Sequence, residues 1–301
     1  MTEPAVTVSR GAWWWWALVS VGVSAVTVAT IHLTRNVALF PGLALLSSLV
    51  VPGAVLAYVV GRVGAGTAGL AGVAVALLFA AFGATVVAAV AEWALFGDWA
   101  HAAHYAAART HPHPPPPTPP WKAALASLVE ESAKLACVLA AGRGLWRTRR
   151  GGALDGLVLG VAAGAGFAVV ESAGYTFTAF LADRGALSLP LHIAVLRGTL
   201  SPMGHVAWSG LLGASWFFAR QHGRWGVAAW ATAGVLALHA AWDAFPAALK
   251  ALGVMPPPFV DHLLLALVVG VPGLAALLVT MRRAASLPPA SLAASASPPV
   301  P

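Results

Sequence analysis

The sequence predicts an all-α protein, a polytopic bundle of about eight transmembrane helices with almost no soluble domain. Three observations carry this. Of 301 residues, 59% are apolar, only 9% are charged, and the mean hydropathy is +0.80. A soluble domain carries roughly 25% charged residues. The apolar residues fall into eight long stretches, each near the roughly 20 residues that a helix needs to cross a hydrocarbon core of about 30 Å. The stretches are also too continuous for barrel strands, and backbone polar groups in lipid must be satisfied within the segment, which leaves helices.

Taken in order, the stretches cover residues 12–32, 38–61, 67–96, 121–141, 153–181, 191–219, 225–247 and 259–281. The first lacks a small-residue cleavage site and is followed by further spans, so it reads as a membrane helix and not as a removable signal. The third and fifth are long enough to tilt or protrude. Pro52 and Pro202 mark places where a helix is expected to bend. Asp155 stands at the start of the fifth span, where a helix cap is expected.

Lys and Arg set the topology. With the N-terminus inside, the inner segments hold ten of them: Arg10, Arg62, Arg143, Arg147, Arg149, Arg150, Arg220, Arg224, Arg282 and Arg283. The outer segments hold five: Arg35, Arg109, Lys122, Arg184 and Lys250. That bias puts both termini in the cytoplasm of a multi-pass cell-membrane protein. The formal net charge of +7 is scattered among short loops, so it reads as a topology signal, and nucleic acid is not expected as a partner.

Two segments stand apart. Residues 97–120 carry His101, His104, His111 and His113 before a proline run, and read as an external, extended loop. Residues 284–301, rich in Ala, Ser and Pro, read as a disordered tail. The single cysteine, Cys137, allows no internal disulfide and reads as a small buried hydrophobe. The organisation expected is a three-helix segment over 1–96, the loop over 97–120, a catalytic bundle over 121–247, a last helix over 248–283 and the tail.

Function is sought in the polar residues inside the spans, since a charge in the bilayer core costs at least about 2.5 kcal/mol. The fourth span carries Glu130, Glu131 and Lys134. Lys134 stands four residues after one Glu and three after the other, so it can pair with either. In the fifth span Gly160, Gly164, Phe167, Glu171 and Tyr175 share a face, and the glycines let a neighbouring helix approach closely. Arg197 and His205 stand in the sixth span, where Arg197 is expected to pair with a carboxylate. His239 and Asp243 stand four apart in the seventh, where Asp243 can orient the imidazole or join it on a metal. At 1.5 Å per residue, Glu131 and His205 lie about 15 Å below the outer ends of their spans. Glu171 and His239 lie somewhat nearer the outside, so one polar chamber can hold all four.

The motifs Glu130-Glu131-x-x-Lys134, Gly166-Phe167-x-x-x-Glu171-x-x-x-Tyr175, Arg197 with Gly204-His205, and His239-x-x-Trp242-Asp243 resemble those of the PrsW family of intramembrane proteases. That family belongs to a superfamily with the CAAX prenyl proteases. The resemblance covers roughly residues 120–246 and leaves the first three helices outside. It implies peptide-bond hydrolysis in or beside the membrane, acting on a membrane-anchored protein such as an anti-sigma factor. It makes Glu130 and Glu131 the source of the activating carboxylate, and His205 and His239 the imidazoles. Glu171 and Asp243 differ from the histidine and asparagine of the prenyl-protease branch, so a prenylated substrate is not expected.

Either a zinc ion (Zn2+) or a metal-free glutamate mechanism is compatible with these residues. Glu171, His205, His239 and Asp243 are acceptable zinc ligands. Lys134, Arg197 and Tyr175 are expected to support them, with Arg197 or the second imidazole at the oxyanion. Two other classes use similar residues. A proton-coupled transporter would show inverted repeats with matched helix breaks, and Pro52 and Pro202 do not match. A non-catalytic scaffold of the same fold would have lost a motif, and none is lost.

Overall fold

The computed structural model describes residues 9, 11–96, 119–182, 187–199, 201–254 and 258–286. The His/Pro-rich loop, except its last two residues, and the tail beyond Ser286 lie outside them. Among the described residues the chain is all helix with no strand, the bundle the sequence predicts. The helices are α1 (Ala12–Thr34), α2 (Phe40–Val63), α3 (Gly69–Leu78), α4 (Thr85–Phe96), α5 (Pro120–Ala141), α6 (Arg143–Thr148), α7 (Ala153–Ala182), α8 (Ser188–Thr199), α9 (Ser201–His222), α10 (Trp225–Ala251), α11 (Pro258–Leu265) and α12 (Val271–Ser286). A π-helical turn, Phe79–Ala84, joins α3 to α4, and another, Ala266–Gly270, joins α11 to α12.

Five helical stretches among the described residues are long and apolar enough to cross a bilayer: Ala12–Thr34, Val37–Val63, Gly69–Phe96, Ala153–Leu181 and Leu263–Ser286. The remaining expected spans correspond to α5, to α8 with α9, and to α10. At 22, 22 and 27 residues, α5, α9 and α10 have the length to span. Their lower apolarity comes from the polar residues they carry.

The structure changes four local expectations. The described residues of the sixth stretch form two helices, Ser188–Thr199 and Ser201–His222, and Leu200 between them lies outside the described residues. Pro202 then falls in the first turn of α9, where its missing N–H removes no helix bond. By contrast, α2 runs unbroken through Pro52. The basic segment after α5, expected as a loop, contains the short helix α6. The last helix continues to Ser286, so the expected tail begins three residues later than 284.

The centre of the bundle is α7. It is apolar on all sides and nearly all of it is buried, as expected of a helix with neighbours all round. It packs on α2, α3, α5, α8 and, most extensively, α9. That last contact follows from small residues. A Cβ on Gly156, Gly160 or Gly164 would collide with the backbone of Gly213, Ser209 or His205 respectively. Both sets repeat every four residues, so two smooth stripes meet and the backbones touch. On another face, a Cβ on Gly166 would collide with the Leu77 carbonyl of α3.

Asp155 fastens the base of α7, lying in the first turn and not at the cap position itself. Its Oδ2 accepts from Gly152 N–H at 2.9 Å, and its Oδ1 accepts from Thr67 N–H in the loop after α2. This is the reach-back half of a capping box. Stacked rings of Phe40 and Phe180, 4.0 Å apart, join α2 to the far end of α7. At the edge of the bundle, α1 leaves Trp15, Leu18, Val19 and Val26 exposed, an apolar face suited to lipid.

Candidate active site

The i, i+3 and i+4 spacing on α5 turns Glu130, Glu131 and Lys134 into the bundle, and all three are buried. Lys134 is wholly enclosed. Its Nζ lies 3.0 Å from Glu130 Oε2, 2.8 Å from Glu131 Oε1 and 3.0 Å from His205 Nδ1. The ammonium has three hydrogens, so each finds an acceptor. The Phe167 ring, its centroid 3.8 Å from Nζ, closes the remaining side. A buried lysine needs this degree of compensation, because taking an ion out of water costs several kcal/mol.

The second cluster is built by α7, α8 and α9. The Gly164–His205 contact brings these two helices together just below Glu171. Glu171 Oε2 lies 3.0 Å from His205 Nε2 and 2.9 Å from Arg197 Nη2. Arg197 also stacks on Tyr175, its Cζ 3.7 Å from the ring centroid. Lys134 can only donate, so His205 Nδ1 accepts and its proton sits on Nε2, facing Glu171.

The third element is α10. His239 Nδ1 is 2.9 Å from Glu131 Oε1. A histidine N–H bonded to a carboxylate fixes the ring and leaves the other nitrogen for a ligand. That nitrogen, Nε2, lies 3.6 Å from both Glu130 Oε2 and Asp243 Oδ2. Below the ring, Trp208 stacks on His239 at 4.7 Å and is itself fully buried. Exposure is nil or almost nil at Lys134, Glu131, His239 and His205, and rises to 14% at Arg197, 17% at Glu171 and 21% at Asp243. The site is closed at Lys134 and opens past Asp243.

Charge and donor geometry both bear on a metal. Four carboxylates (Glu130, Glu131, Glu171 and Asp243) face two fixed cations (Lys134 and Arg197), an excess of negative charge that a dication or protons can balance. One donor atom from each of Glu130, Glu131, His205 and His239 lies within 4.8 Å of the others. Tetrahedral zinc with bonds of about 2.0–2.1 Å holds its ligand atoms about 3.3 Å apart. The 3.6 Å separations around His239 Nε2 are close to that. Glu131 Oε2 is buried without a hydrogen-bond partner among the described residues, so it is available to a water or an ion. The residues present fit a zinc ion. Of the four ligands expected from sequence, His205 and His239 belong to this grouping and Asp243 lies 3.6 Å from His239 Nε2, while Glu171 is held by Arg197 and His205.

The structure thus brings together all nine residues singled out in sequence. Asp155 stays apart at the base of α7. Two neighbours were missed. Glu92 on α4 experiences the charges of Glu130, Glu171, Asp243 and His239. It is an acidic residue inside an apolar span, the same signal that marked Glu130 and Glu131. Trp208, the floor beneath His239, gives no such signal in an already apolar stretch.

Fold and site together define an integral membrane protein with a buried glutamate–histidine centre. A family model described as PrsW family intramembrane metalloprotease matches residues 68–277, more than two thirds of the chain. The chain belongs to the PrsW family. The match is wider than the stretch 120–246 that carries the motifs, and it takes in α4 and Glu92. No curated protein and no solved structure matches the chain.

Proposed function

We propose that the protein is an intramembrane metalloendopeptidase that hydrolyses membrane-anchored protein substrates. The observation that carries this reading is the division of labour at Glu131. Its Oε1 is held by Lys134 and His239, while its Oε2 is buried and free to accept. A carboxylate so fixed can take a proton from an attacking water and return it to the leaving amine.

Zinc would be held by His239 Nε2, Glu130 Oε2 and Asp243 Oδ2, and when bound would supply Lewis-acid activation of water and carbonyl. Glu131 positions His239 through Nδ1. His205 and Arg197 hold Glu171, which lines the open side where substrate enters. Lys134 keeps Glu130 and Glu131 on one side of the cavity despite their like charges. The acidic mouth and buried base favour an extended peptide over a helix, because hydrolysis requires an accessible carbonyl. An anti-sigma factor is one such membrane-anchored substrate.

The test is metal content by mass spectrometry on detergent-purified protein, paired with cleavage of a membrane-anchored substrate. Wild type should hold about one zinc, and His239→Ala should lose both metal and cleavage. Glu131→Gln should weaken metal affinity about 10–100-fold, the cost of an outer-shell change, and still hold about one zinc when zinc is saturating. It should cleave about 10²–10⁴-fold more slowly. Full cleavage by the Glu131→Gln protein would sink this reading.

A further inference from the structure

A second cavity lies away from the catalytic residues, between α9, α10 and α12. Both α10 and α12 pack on α9, and the wedge between them forms an open groove of about 560 Å³. Ala214 and Phe218 of α9, Ala231, Gly234 and Leu238 of α10, and Arg283 of α12 are among its lining residues. Of the lining residues, Leu211 and Leu238 pack against Trp208 and Trp242, the layer beneath His239.

We infer that this groove holds one acyl chain of an anionic phospholipid, with its headgroup at Arg283. Three observations favour that occupant. The wall is apolar, and Arg283 is the one charged residue that lines it. On α10 the groove runs from Val227 to Leu238, which at 1.5 Å per residue is about 16 Å, close to one leaflet's share of a hydrocarbon core of about 30 Å. One end of the groove is arginine-rich: α12 carries Arg282 and the lining residue Arg283, and the turn after α9 carries Arg224, which lies over the lining residue Phe218. Among the described residues no carboxylate pairs with Arg283, so its charge is available to a headgroup.

The inference is independent of the protease reading, because no catalytic residue lines the groove. The experiment is native mass spectrometry of delipidated, detergent-solubilised protein titrated with dioleoyl phosphatidylglycerol or dioleoyl phosphatidylcholine. Gly234 offers a clean block: a Cβ there meets nothing within 4 Å, so Gly234→Leu fills the groove without disturbing the fold. Wild type should take up one phosphatidylglycerol first and prefer it to phosphatidylcholine. Arg283→Gln should lose about fivefold of that preference, the effect of one arginine beside an anionic surface. Gly234→Leu should lose the first binding event for both lipids. Unchanged first binding in Gly234→Leu, or no headgroup preference in wild type, overturns the assignment. So does displacement of the lipid by a transmembrane peptide.

Discussion

Replacing Lys134 by methionine keeps most of its volume and removes the charge that faces Glu130, Glu131 and His205 at once. Breaking a buried ion pair from one side costs about 3–5 kcal/mol, so Lys134→Met should lower the thermal midpoint in detergent well beyond any surface change. Lys134→Arg should not restore it, because a planar fork cannot point three donors at three acceptors around one atom. A midpoint equal to wild type would show that the ammonium is dispensable. At this scale the sequence was most legible. Charges inside apolar spans mark themselves, and the spacing of Lys134 from the glutamates already implied the ion pairs. Which oxygen each nitrogen meets was not legible, because that depends on how five helices converge. Glu92 was readable by the same rule but lies in a helix that had been set outside the motif-bearing stretch.

The contact of α7 with α9 depends on glycine carbon count. Gly160→Ala places a methyl group against the Ser209 carbonyl. The helices must separate, at a cost of about 1–3 kcal/mol or more. Separation moves His205 relative to Glu171, so cleavage should fall more than stability does, measured on the same preparation. Gly174→Ala, on the same helix with open space around it, is the matched control and should be nearly silent. The four-residue glycine spacing was visible in sequence and correctly implied a close neighbour. It did not reveal which helix that neighbour is, since periodicity reports a face and not its partner. The two π turns leave no trace in an all-apolar pattern.

For the molecule as a whole, the arginine bias makes a prediction about sidedness. With the eight crossings expected from the sequence, the chain would return to the side it started from. Cys137 is the one cysteine, so a Cys137→Ser background accepts single cysteines at chosen sites. A cysteine at Ser9 should resist a membrane-impermeant maleimide on intact cells, and one at Ala106 should react. The reverse pattern would invert the topology and turn the open side of the site toward the cytoplasm. Five of the expected spans were legible because lipid imposes a simple length and apolarity rule on each of them. The arrangement around α7 was not, because it is set by contacts between segments far apart in the chain.

The wide turn Phe79–Ala84 gives the third span a tolerance for changes in length. A π turn holds one more residue than the α turn it replaces, so the chain there carries slack that the rest of the helix lacks. Omitting Gly83, which touches no neighbouring side chain, should tighten the turn to an ordinary one and leave α4 in phase. Glu92 would keep its place on α4, the helix that packs on α5, and cleavage would be preserved. Omitting Ala89 removes a residue where there is no slack and swings Glu92 about 100° around the axis. Two shortenings of equal size, six residues apart, should therefore give one working protein and one damaged one.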